Sequence, residues 1–157
     1  MAKIDRKYLA HFINAGDGEP QYVRLGEDLE EYSPELSAQV DTKKNILGQS
    51  SVLISAYEKT GAVEPYYAQS GDPLFEKLQK ILDEGLVLDQ LKTDVVDVKL
   101  WEGNEDSGEY PAIREDAYIE VTSYGGDTSG YQIPFKLHYT GHKTAGMFNI
   151  TTRTFTA

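Results

Sequence analysis

Two histidines lie close enough in the sequence to suggest a metal site. His138 and His142 are four positions apart, the spacing that brings two ligands together on one face of a helix. Gly141 predicts a turn between them, however, and no acidic third ligand follows. His138 also shares the polar face of a predicted strand with Lys136, where a solvated histidine is ordinary. The pattern therefore favours two surface histidines over a metal centre.

A serine in the glycine-rich segment 126–130 is a candidate nucleophile. The nucleophile-elbow pattern requires a glycine two positions before the serine and another two positions after it. Asp127 and Tyr131 occupy those positions around Ser129. Asp and Ser at this spacing are typical of a turn, in which short polar side chains bond to the nearby backbone. We therefore predict a turn here and no catalytic serine.

Two pairs of carboxylates are candidates for acid–base catalysis or calcium binding. Asp94 and Asp97 are three positions apart, so on one strand they face opposite sides. Glu105 and Asp106 lie in the acidic segment 102–111, which lacks the ligand spacing of a calcium loop. A carboxylate pair of the glycosidase kind stays open, because the separation of two side chains cannot be read from a sequence. We predict that the chain is not an enzyme and holds no metal or cofactor.

Composition excludes several classes of protein. The 157 residues match the length of one domain, and the absence of cysteine excludes disulfides and thiolate metal sites. No apolar run approaches the about 18 residues that a membrane-spanning helix needs, and the start of the chain does not read as a secretory signal. With 26 acidic and 15 basic side chains, the net charge of -11 argues against a protein that grips nucleic acid.

The charge is distributed unevenly along the chain. Residues 132–157 contain no acid and three basic side chains, Lys136, Lys143 and Arg153, whereas residues 1–131 contain 26 acidic and 12 basic ones. One interpretation is an ordinary solvated surface. The other is a subunit with acidic and basic surfaces, able to meet copies of itself head to tail.

Alternation of apolar and polar residues predicts a mostly-β fold. It is clearest over 133–139, where Pro134 indicates a strand start or an edge. Together with further segments this gives roughly seven or eight antiparallel strands, typical of a β-sandwich or barrel. The other predicted strands are 21–25, 51–57, 94–101, 118–124, 145–150 and 151–156.

One segment, 72–85, has the pattern of a helix instead. Asp72 is an N-cap residue, Pro73 suits the first helical position and Gly85 suits the position just past the end. Leu74 and Leu78 belong to an apolar stripe that would pack one face of the helix against the sheet.

Loops are predicted at three places. Segment 15–20 reads as a turn between the first strands, and the acidic segment 102–111 reads as a protruding loop. Segment 41–50 reads as an extended loop. It carries two adjacent lysines, Lys43 and Lys44, followed by apolar Ile46 and Leu47, in an otherwise acidic chain.

Several segments, taken in order along the chain, resemble the major tail proteins, or tail tube proteins, of long-tailed bacteriophages. None is a catalytic motif, so the resemblance rests on their order, which extends from about Tyr22 to the end of the chain. The segments are 22–32 (YVRLGEDLEEY), 40–48 (VDTKKNILG), Tyr57-Glu58, 72–78 (DPLFEKL), 123–135 (SYGGDTSGYQIPF) and 146–156 (GMFNITTRTFT).

The resemblance implies one tail-tube domain over 1–157: an antiparallel β-sandwich or barrel with one flanking helix, assembled in six-membered rings that stack into a tube. It implies a structural protein of the virion tail, made in the cytoplasm of the host bacterium, with no membrane association. The implied partners are other copies of the chain, a tape-measure protein, and tail-terminator and baseplate proteins. Genomic DNA would pass through without specific binding, which suits an acidic chain because like charges repel.

In such tubes an extended loop reaches the neighbouring ring. By position, segment 41–50 is the candidate for that loop. The candidate contact residues are Asp41, Lys43, Lys44, Asn45, Ile46 and Leu47.

Two other functions stay open at the level of sequence. One is a monomeric β-sandwich module that binds carbohydrate, with Trp101 and several tyrosines as a stacking platform. The other is a small hydrolase that uses scattered carboxylates, which the lack of any catalytic constellation disfavours.

Overall fold

The computed structural model describes residues 1–103 and 106–157, and this part of the chain is mostly β-strand with one α-helix. Its helix, α1, spans Pro73–Glu84, and two short 3-10 helices span Arg6–Tyr8 and Leu88–Leu91. The strands are β1 (Leu9–Asn14), β2 (Tyr22–Leu25), β3 (Glu35–Lys44), β4 (Ser50–Val63), β5 (Lys92–Lys99), β6 (Glu109–Val121), β7 (Gly125–Asp127), β8 (Gly130–Gln132), β9 (Phe135–Asn149) and β10 (Thr154–Thr156). The predicted fold class, mostly-β with one flanking helix, is confirmed.

Eight of the strands form one antiparallel sheet. Seven lie in the order β2-β1-β5-β6-β9-β4-β3, and β10 pairs with the far end of β9. Strands β7 and β8 form a separate two-stranded ribbon. The long strands β6 and β9 pair along most of their length, with an interruption of the register between Glu115 and Ala117. No helix among the described residues is long and apolar enough to cross a bilayer.

The sheet curls, so that strands distant in its order touch. Strands β5 and β6 separate β1 from β9, yet the rings of Phe12 and Phe148 lie 4.5 Å apart, centroid to centroid. The ring of Tyr22 meets Phe148 edge-on at 5.7 Å. These rings belong to the smaller of two hydrophobic cores, which we call the second core. It also contains the buried residues Ala10, Val96, Val98, Tyr110 and Ala112. The curl therefore gives both faces of the sheet a buried region.

Helix α1 covers the other face, and its ends follow the predicted chemistry. The Asp72 side chain accepts a hydrogen bond from the backbone N of Leu74 at 3.0 Å, and Pro73 occupies the first turn. Gly85 ends the helix in the left-handed conformation, with φ at 61°. The apolar stripe buries Leu74 and Leu78 in the larger hydrophobic core, which we call the first core. This core also contains Ile13, Ile119, Ile133 and Phe135.

Two predicted loop boundaries are wrong. The turn predicted at Gly141 between His138 and His142 does not form: β9 runs through it as one strand, because Gly141, at a φ of 87°, lets the strand bend without reversing. The acidic loop predicted over 102–111 is shorter than expected, because Glu109 to Pro111 belong to β6, where Tyr110 is buried. Glu105, one member of the carboxylate pair considered with Asp106, lies outside the described residues.

Candidate assembly surface

The hairpin of β3 and β4 projects from the body of the protein. All of β3 and residues 50–58 of β4 are exposed, whereas Thr60 to Val63 of β4 pair with β9 and join the sheet. We call residues 35–58 the arm. Strand β3 is the last strand in the sheet order, so within the described residues one edge of the arm is an unpaired strand edge.

The segment predicted as an extended loop, 41–50, is the end of this hairpin. Asp41 to Lys44 belong to β3, and Ser50 begins β4. We call the turn between them, residues 45–49, the tip. The prediction missed the strand pairing because β3 is exposed on both faces, and an exposed strand of mixed polarity resembles a loop in sequence.

Hydrogen bonds give the tip a defined shape. The side-chain oxygen of Asn45 accepts from the backbone N of Leu47 at 2.9 Å and of Gln49 at 3.0 Å, and Gly48 has a φ of 81°. Ile46 and Leu47 project from this turn with exposures of 102% and 77%. The tip is thus a folded structure that presents two aliphatic side chains to solvent.

The arm has one apolar face and one polar face. Residues directly opposite in an antiparallel pair project to the same side: Ala38 lies opposite Tyr57 and Val40 opposite Ile54, whereas Gln39 lies opposite Ala56. A register shift at Gln39/Val40 lets β4 bulge without breaking the alternation of β3. The apolar face includes Leu36, Ala38, Val40, Thr42, Val52, Ile54 and Tyr57, with Lys44 and Ser50 near the tip; the polar face includes Glu35, Ser37, Gln39, Asp41 and Glu58, and also carries Leu53 and Ala56.

The six predicted contact residues divide among three surfaces of the arm. By alternation along β3, Asp41 and Lys43 lie on the polar face and Lys44 lies on the apolar face near the tip. Asn45, Ile46 and Leu47 form the tip itself. The apolar face is not among the sequence-based predictions. Alternation over 36–42 was the available signal, but the bulge disturbs the matching pattern in β4.

A buried ion pair holds the base of the arm. The ammonium of Lys59 lies 2.8 Å from Oε1 of Glu115, and their side chains are 15% and 5% exposed. The same ammonium lies 4.3 Å from the centroid of the Tyr139 ring. Oε2 of Glu115 accepts from the backbone N of Gly141 at 3.1 Å. Strands β4, β6 and β9 are therefore tied together where the arm leaves the sheet.

A second set of polar contacts continues from this ion pair into β1. The hydroxyls of Tyr139 and Tyr32 are hydrogen-bonded at 2.5 Å, and burial raises the pKa of both, so both stay protonated. The ring of His11 packs edge-on against Tyr32 at 4.8 Å. Tyr32 lies just before β3, and Lys59 lies on β4. Both strands of the arm are therefore held by buried contacts where they join the body of the protein.

The hydrogen bonds around His11 define which ring nitrogen donates and which accepts. Arg6 can only donate, so at 2.8 Å the Nε2 of His11 accepts, and Nδ1 carries the proton that it donates to Asp97 at 2.6 Å. Arg6 also donates to the backbone oxygen of Tyr32 at 2.9 Å. This buried histidine therefore has a structural role, linking the start of the chain to the segment that precedes the arm.

The remaining candidates from the sequence are dispersed. Asp97 bonds to His11, whereas Asp94 accepts from Tyr22 at 2.5 Å near the second core, so the two carboxylates face opposite sides as predicted. Ser129 donates to Asp127 through both its backbone N and its hydroxyl within the β7–β8 turn, which lowers the pKa of Asp127.

The two histidines considered as metal ligands have other surroundings. His138 lies 3.6 Å from Glu120 on the surface, and His142 is exposed. Within residues 1–103 and 106–157, no three His, Asp or Glu side chains are grouped as metal ligands. Trp101 is 41% exposed after β5, and the aromatic pairs described in the structure join other rings, as with Phe75 and Tyr131.

The basic C-terminal segment has partners within its own chain. Lys136 lies directly opposite Glu120 across β6 and β9. The guanidinium of Arg153 lies 5.9 Å from the Phe12 ring centroid and donates to the Tyr22 carbonyl at 3.5 Å. In the folded chain, Lys136 therefore lies beside an acidic residue, whereas the contacts of Arg153 are uncharged.

The fold is similar to that of several tube proteins whose structures are solved. The chain aligns with the SPP1 tail tube at a TM-score of 0.61 and 17% identity, over 91% of this chain and 78% of that one. It aligns with the sheath/tube terminator of an extracellular contractile injection system, PVC, at 0.56 and 10% identity, over 92% and 97%. The tube-terminating cap of the anti-feeding prophage gives 0.56 and 10% identity, over 92% and 91%.

Similar proteins are found by comparison of structures and not by comparison of sequences. No protein-family model matches the chain, and no curated protein does. Identities of 10% to 17% are too low to carry more than a fold. The chain therefore has the tail-tube fold that its segment order predicts.

Proposed function

We propose that this chain is the structural subunit of a phage tail tube, or of the tube of a phage-derived particle. Its copies form six-membered rings that stack around a channel through which DNA passes. The observation that supports this most is the arm, because an exposed apolar hairpin face on a tail-tube fold marks a surface for contact with another chain.

The unpaired edge of β3 supports the same proposal. Natural sheets shorten, charge or cover their edges, because a free row of backbone donors and acceptors invites pairing with another chain. Strand β3 is ten residues long and exposed throughout, so it is a long free edge. Contacts between unlike surfaces of identical subunits close into rings when the rotation between neighbours divides a full turn.

The net charge suits a conduit for DNA. Each subunit carries -11, and an acidic channel wall repels phosphates, so the duplex slides through water without binding. We propose that this charge lines the channel. The buried base of the arm supports a structural role as well, because the ion pair of Lys59 and Glu115 holds a projecting element at a constant angle.

The proposed partners follow from the same role. Two of the similar structures are a sheath/tube terminator and a tube-terminating cap. We propose that the tube of this chain ends on a terminator and a baseplate, encloses a tape-measure protein, and is part of the virion. The subunit is made in the host cytoplasm and acts without catalysis.

Negative-stain electron microscopy of the concentrated protein, paired with light scattering after size exclusion, tests the proposal. We expect rings and short tubes. The variant with Lys44→Ser, Ile46→Ser and Leu47→Ser should lose stacking, whereas Tyr124→Ser, also at an exposed position, should keep it. A chain that stays monomeric at high concentration and with the other tail proteins would overturn the proposal. Rings that never stack would indicate a terminator. Unchanged stacking by the triple variant would show that the arm does not take part in stacking.

A further inference from the structure

An apolar groove lies on the surface between the end of α1 and the strands β6 and β9. Its volume is about 600 Å³. The aliphatic side chains of Ile81, Leu82, Leu86, Leu91 and Val121 line it. Leu82, Leu86, Leu91 and Val121 are only partly buried, so the groove presents apolar surface to solvent. Solvated grooves of this kind are common places for a partner to bind.

Two further apolar side chains neighbour the groove residues along the chain. Val87 and Leu88 lie between the groove residues Leu86 and Leu91, with exposures of 59% and 80%. Leu88 has a φ of 56°, a conformation that leucine seldom adopts. Strained backbone of this type concentrates at binding sites, where contacts with a partner compensate for the strain.

The surroundings of the groove are negatively charged. Glu120 lines it, Asp83 and Glu84 lie in the last turn of α1, and Asp89 follows in the 3-10 helix. The last turn of α1 carries no basic residue, so the negative end of the helix dipole adds to these charges.

Nearby cations offset this charge only in part. His138 lines the groove, with its Nε2 3.6 Å from Oε2 of Glu120, Lys136 lies opposite Glu120, and Lys92 lies 4.0 Å from Asp116. Asp83 accepts from the neutral amide of Gln79 at 2.8 Å. The groove therefore fits a partner with aliphatic side chains next to positive charge.

The tip of the arm has that chemistry. Ile46 and Leu47 project from it, and Lys43 and Lys44 precede them directly. The tip does not occupy the groove of its own chain, since Ile46 is fully exposed. The nine exposed residues 50–58, which precede the contact of Lys59 with Glu115, extend roughly 30 Å at about 3.3 Å per residue. The tip can thus reach another copy.

We propose that the tip of one copy binds in the α1 groove of a second copy, with Ile46 and Leu47 against the aliphatic wall and Lys43 and Lys44 near the acidic rim. This inference rests on the proposed function, for which it names the surface that receives the arm. The contact joins two different surfaces of the same chain, so it propagates from copy to copy.

The absence of cysteine makes a specific cross-linking test possible. Two populations are prepared, one with Leu47→Cys and one with Leu88→Cys, and are mixed under assembly conditions with a short bis-maleimide. We expect heterodimers on a denaturing gel. The matched control replaces Leu88→Cys with Tyr124→Cys, another exposed position outside the groove. It should give at least about tenfold fewer heterodimers, which corresponds to about 1.4 kcal/mol of preference.

A charge exchange tests the electrostatic part. Lys43→Glu with Lys44→Glu on the tip should lower the yield of heterodimers, and Asp83→Lys with Glu84→Lys on the second population should restore it. Restoration is a result that misfolding of either variant does not give. Failure of the exchange to restore the yield would refute the assigned rim.

The outcomes separate this inference from the proposed function. Tubes in the microscope without cross-linking of Leu47→Cys to Leu88→Cys would overturn the groove and leave the tube subunit intact. Cross-linking without tubes or rings would support the groove and overturn the tube. Neither tubes nor cross-linking would overturn both. Capture of another tail protein at Leu88→Cys in place of the tip would also overturn the inference.

Discussion

The ammonium of Lys59 lies 2.8 Å from a carboxylate oxygen of Glu115 at the position where the arm leaves the sheet. The two residues are 56 positions apart in sequence and lie on β4 and β6, with β9 between these strands. Because the pair is largely buried and Tyr139 covers the ammonium, neither partner can turn to solvent without disturbing the sheet. The direction of the arm is therefore set by the body of the protein.

Removal of one member of this pair should strongly destabilise the fold. Glu115→Gln leaves the Lys59 charge in a poorly solvated position and should lower the free energy of unfolding by about 3 kcal/mol. The double variant Lys59→Met with Glu115→Leu should be much closer to the natural protein, because it leaves no buried charge. Urea denaturation followed by circular dichroism measures both.

An exposed ion pair provides the control. Lys80 and Asp17 lie 3.5 Å apart, with side-chain exposures of 51% and 95%. Asp17→Asn should change the free energy of unfolding by less than about 1 kcal/mol. Equal effects of Asp17→Asn and Glu115→Gln would contradict the role given to the buried pair.

The hydroxyl pair of Tyr32 and Tyr139 should behave as one unit. Each Phe substitution leaves the other hydroxyl buried without its partner and should lower the free energy of unfolding by about 1–2 kcal/mol. The double substitution should lower it by less than the sum, since no orphaned hydroxyl remains. A double-mutant cycle in urea measures the coupling, and strictly additive effects would argue against the hydrogen bond.

Gly61 should tolerate no side chain. A Cβ at this position would overlap the hydroxyl oxygen of Tyr32, where β4 enters the sheet beside β9. Gly61→Ala should therefore lower the free energy of unfolding by about 1–3 kcal/mol through overpacking. Adding Tyr32→Phe removes the closest atom and should recover part of the loss in a thermal melt. Gly61→Ala with an unchanged melting temperature would contradict this close approach.

The N-terminal cap of α1 should be measurable. Asp72 accepts from the backbone N of Leu74 at 3.0 Å and from the hydroxyl of Tyr66 at 2.5 Å. Asp72→Ala should lower the free energy of unfolding by about 1 kcal/mol or more. Asp83→Ala, at the other end of the same helix, is the control and should have a smaller effect, because Asp83 caps nothing. The same loss for both would show that the cap has no special role.

Assembly should depend on ionic strength. If opposite charges join the copies, the yield of rings should fall between about 0.01 M and 1 M salt, as the Debye length shortens from about 30 Å to about 3 Å. Lys43→Ser with Lys44→Ser should weaken the dependence. Sedimentation of assembled material at each salt concentration measures it, and an equal yield throughout would count against the electrostatic contribution.

Local features of the sequence determined the helix and most of the strands. The cap at Asp72, Pro73 and Gly85 predicts α1 without reference to the rest of the chain, because the hydrogen bonds that end a helix come from its immediate neighbours. The alternation around Phe135 and Leu137 predicts a half-buried strand for the same reason, since side chains alternate across any strand. The order of segments likewise predicted the tail-tube fold.

Only the tertiary structure decided what the arm is and how it is held. In sequence, 41–50 reads as a loop, and the pairing of Val40 with Ile54 becomes visible only when the hairpin is formed. The contacts at its base join residues far apart in the chain, such as Tyr32 and Tyr139, which are 107 positions apart. Such pairs depend on how the sheet curls and on its register, and these follow from the packing of the whole core and not from the residues next to each partner.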